Sequence, residues 1–219
     1  MIQIHALSLF IELVKKDKGF TDAIQAAITG MKNNLIALTN ELLNNLFEKN
    51  KGLNEIYNAA KTGANGLDIK AQTAALFLFI ALVGKDQRIN EAIQSAEKRI
   101  KSKTSEVQNA ALLLLCELVK KDQAFDELVK KNKIDLTIQA TKDGMQRDDM
   151  NVNRSALNLF KTLINKFNSL LEATTATTKI KTWCKKIIDV GNFVEEINGQ
   201  KILELPELIE LQSKIEATK

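Results

Sequence analysis

Apolar residues recur along this chain with the spacing of amphipathic helices. In Ala6–Val14, Ala75–Val83 and Ala111–Val119, they fall at positions i, i+3, i+4 and i+7. Such spacing places the apolar side chains on one face of a helix. Ala156–Ile164 has the same pattern, and Thr39–Phe47 has a weaker version of it. We therefore predict a series of helices, each with a wide apolar stripe.

A similar polar segment follows each apolar helix, so the chain is built from repeats. Lys16–Gly30 matches Lys49–Gly63 at a shift of 33 residues. Further copies begin at Lys85 and Lys121, each 36 residues after the copy before it, and a weaker copy begins near Lys166, 45 residues later. One repeat cannot cover so wide an apolar stripe, whereas stacked repeats share a continuous core. Intervals of 33 and 36 residues suit two helices, and the 45-residue interval has room for three.

Two sets of leucines occupy equivalent positions in successive repeats, and Leu82, Leu118 and Leu163 of the second set are the predicted core. The second set lies six residues after the first. The two sets are Leu7, Leu76, Leu112 and Leu157, followed by Leu13, Leu82, Leu118 and Leu163.

Three segments in the second half of the chain carry a family resemblance. Ser105–Val119 resembles the third helix of an armadillo repeat, Phe125–Ala140 resembles the first and second helices of the next repeat, and Asp149–Phe160 resembles another third helix. The resemblance covers residues 1–170. It implies an all-α fold, a right-handed α-solenoid of about five armadillo/HEAT-like repeats.

Residues 171–219 depart from the repeat and are expected to form an atypical C-terminal repeat with capping helices in the same continuous domain. We predict a polar loop at Thr174–Thr178 and a helix at Lys179–Gly191. A turn is predicted at Asn198–Gly199 and a final helix at Leu203–Ala217, with Pro206 in its first turn.

The armadillo resemblance also implies a partner-binding groove. Third helices of armadillo repeats typically carry a Trp and an Asn, four residues apart, that face the groove, and Asn45 is the one residue here that fits. The resemblance therefore does not imply an importin-like or catenin-like mode of peptide binding. The aligned positions combine an apolar centre with three carboxylates and predict a ligand segment with an apolar anchor and basic flanks. They are Ser8, Glu12, Glu41, Asn45, Phe77, Ala81, Leu113, Glu117, Asn158 and Thr162. The alternative for Phe77 and Leu113 is that they pack against the neighbouring helix.

No arrangement of residues in the sequence indicates catalysis, a cofactor or a metal. His5 is the single histidine, and Cys116 and Cys184 do not form a Cys-x-x-Cys pair. Cys116 lies in an apolar run and is read as a small buried residue. We therefore predict a protein that is not an enzyme and that takes no cofactor.

Two polar motifs receive structural interpretations. Asp148-Asp149 lies where a helix should start and is read as a cap. Gly63–Gly66 is read as a turn between helices.

The chain has one Pro and nine Gly in 219 residues, so few residues interrupt long helices.

Charge leaves a second hypothesis open. The net charge is +4, from 31 basic and 27 acidic residues, which is modest for a nucleic-acid-binding module. Lysines at helix ends could still align into a basic ridge that binds nucleic acid, an acidic protein tail or an anionic surface. The lysines of this ridge are Lys15, Lys16, Lys85, Lys120, Lys121 and Lys166. Acidic neighbours weaken its field, so we rank nucleic acid below a protein or peptide partner.

A third hypothesis is purely structural: the chain is one stretch of a larger solenoid. Ala6–Val14 has no preceding helix to cover it, so we expect either a cap in a longer protein or self-association through this end. No targeting segment or membrane span is recognised, which predicts a cytoplasmic or nuclear adaptor.

Overall fold

A computed structural model describes residues 2–33, 35–173, 178–198 and 205–217. These residues form twelve α-helices and no strand, as predicted. The helices are α1 Ile2–Lys15, α2 Phe20–Lys32, α3 Ile36–Glu48, α4 Leu53–Asn65, α5 Ile69–Gly84, α6 Ile89–Arg99, α7 Ser105–Lys120, α8 Asp122–Lys130, α9 Ile134–Met145, α10 Met150–Ala173, α11 Thr178–Asn198 and α12 Pro206–Ala217.

The predicted number of helices per repeat is confirmed. The intervals of 33 and 36 residues each hold two helices, α2 with α3, α4 with α5, and α6 with α7. The 45-residue interval holds three, α8, α9 and most of α10.

The chain divides into two compact units, Met1–Leu114 and Leu115–Lys219. In the first, α1 packs against α2 and α3, α2 also packs against α5, and α4 lies along α5. In the second, α10 contacts α9, α11 and α12. The division into 1–170 and 171–219 stays a prediction.

The predicted core leucines lie in the interior. Leu82, Leu118 and Leu163 have no exposed surface. Leu13 and Leu157, from the same two sets, are half-buried. Aromatic residues extend the core of the second unit, where Phe167 lies with its ring centroid 6.4 Å from that of Phe125 and 6.5 Å from that of Trp183.

Four helices end in the same way, with an Asp or Asn in the left-handed conformation. The N–H of the next residue donates to a carbonyl five residues back, which satisfies one of the free carbonyls at the helix end. The residues are Asp17, Asn50, Asp86 and Asn132, with φ between 52° and 58°. The bonds run from Lys18 to Leu13, Lys51 to Leu46, Gln87 to Leu82 and Lys133 to Leu128.

Two sequence predictions about helix ends are wrong. α10 does not end near Lys166 but continues to Ala173, because Phe167 extends its apolar stripe and is fully buried. α11 does not end at Gly191 but continues to Asn198, because Val194 extends the stripe and is only 1% exposed.

The turn predicted at Gly63–Gly66 is also wrong, because α4 runs through Gly63 and ends at Asn65. A Cβ on Gly63 would lie 2.7 Å from the carbonyl oxygen of Ala71. Glycine is therefore needed here for close helix packing and not for a turn.

The predicted helix starts near Asp149 and Pro206 hold in part. The Asp149 carboxylate accepts hydrogen bonds from the N–H groups of Asn151 and Val152 at 3.0 and 3.1 Å, as a cap should. Pro206 lies in the first turn of the final helix, as predicted, but the predicted start at Leu203 is wrong, because Leu205 is not helical and α12 begins at Pro206, the position that proline favours. Three parts of these predictions lie outside the described residues: residues 174–177 of the predicted loop, residue 199 of the predicted turn and residues 203–204 at the start of the predicted final helix.

Candidate partner-binding surface

None of the seven predicted groove residues of the first unit belongs to the buried core. They lie on α1, α3, α5 and α7. Ser8, Glu12 and Glu41 are exposed, and Asn45, Phe77, Ala81 and Leu113 are half-buried. These seven residues are called the groove surface below, and whether they bind a partner stays a prediction.

Two carboxylates of the groove surface, on different helices, converge on one lysine. The Lys15 Nζ lies 3.0 Å from Glu12 Oε1 and 4.0 Å from Glu41 Oε1. The hydrogen bond to Glu12 raises the pKa of Lys15, because it favours the charged ammonium. Both carboxylates remain more than half exposed, so they are still accessible to a ligand.

The sequence analysis did not predict that Glu12 and Glu41 converge on Lys15, because it assigned Lys15 to a separate basic ridge. Lys15 instead belongs to the acidic part of the groove surface and occupies it as an internal counter-ion. Its spacing of three residues from Glu12 was the available signal, because residues i and i+3 are neighbours on a helix.

Two polar groups of the groove surface are bonded within their own helices. The Asn45 Nδ2 donates to the carbonyl of Glu41 at 2.8 Å, and the Ser8 hydroxyl donates to the carbonyl of Ile4 at 3.1 Å. Their oxygens remain acceptors for a ligand, so recognition of a basic segment would depend mainly on the carboxylates.

The apolar part of the groove surface is neither core nor fully exposed. Phe77 and Ala81 lie one turn apart on α5 and are half-buried, while their neighbours Leu78 and Leu82 are buried. Leu113 on α7 is also half-buried. Part of each side chain therefore packs against the protein and part is exposed, and whether a partner covers the exposed part stays a prediction.

The second unit contains the last three predicted positions, Glu117 on α7 and Asn158 and Thr162 on α10. The Thr162 hydroxyl donates to the carbonyl of Asn158 at 2.8 Å and lies 3.2 Å from the Sγ of Cys116. Because the hydroxyl proton is used within α10, the thiol is the donor in the second contact. Thr162 thus joins α7 to α10, while Asn158 is exposed and Glu117 is half-buried.

The predicted lysine ridge is only partly at helix ends. Lys15 ends α1, Lys85 follows α5 and Lys120 ends α7. Lys166 lies inside α10, where its side chain is 15% exposed, pairs with Asp122 and lies 5.0 Å from the ring centroid of Phe125. The interpretation of Lys166 as a helix-end residue is wrong, because α10 continues past it.

Across residues 2–33, 35–173, 178–198 and 205–217, no group of His, Cys, Asp and Glu could hold a metal ion. His5 is exposed on α1. No helix of the described ranges is long and apolar enough to cross a membrane.

Comparison with known proteins gives no match among family models and none among curated proteins. Solved structures do match. A designed armadillo repeat protein in complex with the peptide (KR)4 is 14% identical, with a TM-score of 0.50, over 100% of this chain and 84% of that one. A structure of computationally designed armadillo repeat proteins for modular peptide recognition is 14% identical, with a TM-score of 0.54, over 99% and 83%. An engineered protein is 14% identical, with a TM-score of 0.51, over 97% of both chains. Taken with the twelve helices of the described residues, these likenesses show that the chain has the all-α solenoid fold of armadillo-type helical repeats.

Proposed function

We propose that this chain is a non-catalytic scaffold that binds a segment of a partner protein through the groove surface. The observation that carries the proposal is the convergence of Glu12 and Glu41, from two helices, on Lys15. Helices of successive repeats thus present two carboxylates that already bind the ammonium of Lys15.

The ligand class follows from this chemistry. A lysine or arginine of a partner segment would replace Lys15 between the two carboxylates, and charge-assisted hydrogen bonds are stronger than neutral ones. One structure of the same fold, a designed armadillo repeat protein, was solved with the basic peptide (KR)4. At 14% identity this precedent supports the class of ligand and no particular contact.

The half-buried Phe77 and Leu113 supply the apolar component of the proposed site. Half-exposed aromatic and aliphatic side chains favour a partner that covers them, and such anchors dominate binding energy at interfaces. The proposed ligand is therefore an extended segment with an apolar anchor and basic flanks, and the proposed cellular role is that of a cytoplasmic or nuclear adaptor.

The acidic part of the proposal can be tested with a labelled peptide that has a central leucine flanked by Lys-Arg pairs. Replacing both carboxylates, Glu12→Gln with Glu41→Gln, should weaken binding to the full chain about tenfold in fluorescence anisotropy. Lys15→Ala should instead tighten it several-fold, because this substitution removes the internal competitor.

The control is Lys120→Ala with Lys121→Ala, which should change the affinity little at physiological salt. Phe77→Ala with Leu113→Ala should weaken the same peptide by more than about tenfold. If the lysine variant has the larger effect and the affinity collapses as salt rises, the groove surface is not the site and the basic ridge is.

A further inference from the structure

A second apolar concavity lies on the first unit and shares none of its lining residues with the groove surface. It is a cavity of about 350 Å³ between α1 and α2. Gln3, Ala6 and Phe10 line it from α1, and Gln25, Ala26 and Thr29 line it from α2. Asp22 supplies the negative charge at its edge. We call this concavity the α1–α2 groove.

The same groove recurs 69 residues later in the sequence, between α5 and α6. Gln3, Ala6, Phe10 and Gln25 are matched there by identical residues, and Asp22 is matched by a glutamate. The equivalents are Gln72, Ala75, Phe79, Gln94 and Glu91. The two grooves therefore share the side chains that α1 and α5 contribute, whereas Ala26 and Thr29 of α2 are replaced by Ser95 and Lys98 of α6.

In the second copy the groove is occupied by α4. Tyr57, Lys61 and Ala64 of α4 share a remaining cavity of about 190 Å³ with Phe79 and Glu91. The helix lies so close that a Cβ on its Gly63 would be 3.0 Å from the Cβ of Ala75.

Occupation changes the exposure of the equivalent residues. Ala75 and Phe79, beneath α4, are each 1% exposed. Ala6 and Phe10, at the same positions of the α1–α2 groove, are half-buried. The repeat thus shows which kind of element fits this surface: an amphipathic helix with an aromatic residue, a lysine four residues later and small residues in the next turn.

We propose that the α1–α2 groove is a docking site for an amphipathic helix of a partner protein that carries the residue pattern of α4. Charge supports this occupant, because Asp22 stands where Glu91 lines a cavity together with Lys61 of the docked helix. Glu91 itself pairs with Arg88 at 3.7 Å, and Gly19 occupies the position of Arg88 in the first copy, so a lysine on the partner helix would supply the positive charge beside Asp22. The site goes beyond the proposed function, since it is a different surface and binds a helix and not an extended segment.

The probe for this proposal is a helix-stabilised, fluorescently labelled peptide with the sequence of residues 53–66. We expect saturable binding to the full chain at a one-to-one ratio. Ala6→Arg, which fills the groove, should weaken binding at least tenfold. Leu9→Arg is the matched control, because Leu9 lies on the same helix and is 59% exposed. It should leave the affinity unchanged.

A charge exchange keeps the proposal testable if Ala6→Arg disturbs folding. Asp22 is exposed, so Asp22→Lys should fold normally and weaken the peptide. A peptide in which the residue equivalent to Lys61 is glutamate should recover affinity for Asp22→Lys and lose affinity for the unchanged chain. A role of Asp22 in stability alone would not produce this recovery.

Three results would overturn the proposal. The first is absence of binding. The second is weakening by Glu91→Lys but not by Asp22→Lys, which would mean that the peptide displaces α4 from its own groove. The third is a dimer in sedimentation velocity that Ala6→Arg abolishes, which would make a second copy of the chain the occupant. None of these results bears on the groove surface, so they leave the proposed function to its own test.

Discussion

At the scale of single residues, the two cysteines have different environments. Cys184 on α11 has no exposed surface, and burial raises the pKa of its thiol to about 11. Cys116 is 6% exposed and its thiol contacts the hydroxyl of Thr162. Because the thiolate is the reactive form, we expect Cys184 to be inert towards thiol reagents in the folded protein.

The raised pKa of Cys184 predicts a change of stability with pH. The folded protein holds the thiol proton more tightly than the unfolded chain, whose ordinary pKa is 9.0. The contribution is therefore complete below pH 9 and is lost as pH rises towards 11. In chemical denaturation from pH 8 to 11, the free energy of unfolding should fall more steeply for the natural chain than for Cys184→Ala. Parallel curves would show that the thiol titrates alike in both states.

Leu118 provides a test of the repeat register. Its side chain has no exposed surface, so Leu118→Ala should reduce the free energy of unfolding by about 2–5 kcal/mol in urea denaturation. Leu113→Ala, on the same helix but half-buried, is the control and should have a smaller effect. A loss below about 0.5 kcal/mol for Leu118→Ala would be too small for a core leucine.

At the scale of the helix, both boundaries of a loop depend on left-handed residues. Asp17 closes α1 and Asn50 closes α3. Gly19 and Gly52 then stand immediately before the first residues of α2 and α4, with φ of 68° and 78°. Arg88 takes the equivalent position before α6, with φ of 54°. Its guanidinium lies 4.2 Å from the ring centroid of Tyr57, a cation–π contact that offsets part of the strain.

Gly52 and Gly19 form a matched pair for testing this account. An alanine at either position must adopt a left-handed conformation, which costs about 1–2 kcal/mol. At Gly52 the new Cβ would also lie 2.7 Å from Ile24 Cγ1, whereas at Gly19 it would be 3.5 Å from Leu13 Cδ1, an ordinary contact. Gly52→Ala should therefore lower the free energy of unfolding more than Gly19→Ala in thermal or urea denaturation. Equal losses would mean that Ile24 moves aside freely.

At the scale of the whole molecule, the sequence predicts the features that are set by residues close together within one helix, and not the contacts between helices. The apolar stripes gave the helices, and the repeat intervals gave two helices or three per interval. The contact of Lys15 with Glu41 could not be read in this way, because it depends on how α1 and α3 lie side by side. The close approach at Gly63 also depends on how two helices, α4 and α5, pack together. A glycine inside a helix cannot be told from a glycine in a turn by its sequence alone.

The identical closure of the loops after α1, α3 and α5 has a consequence for recombination. Asp17, Asn50 and Asp86 have the same backbone conformation, and the residue after each makes the same hydrogen bond. A recombination event in the gene that joined Asp17 directly to Lys51 would remove α2 and α3. The new junction would have the same loop conformation as before. Duplication between the same two points would add a pair without a new kind of turn. These loops are therefore the positions at which an array of such repeats can gain or lose a pair of helices during evolution.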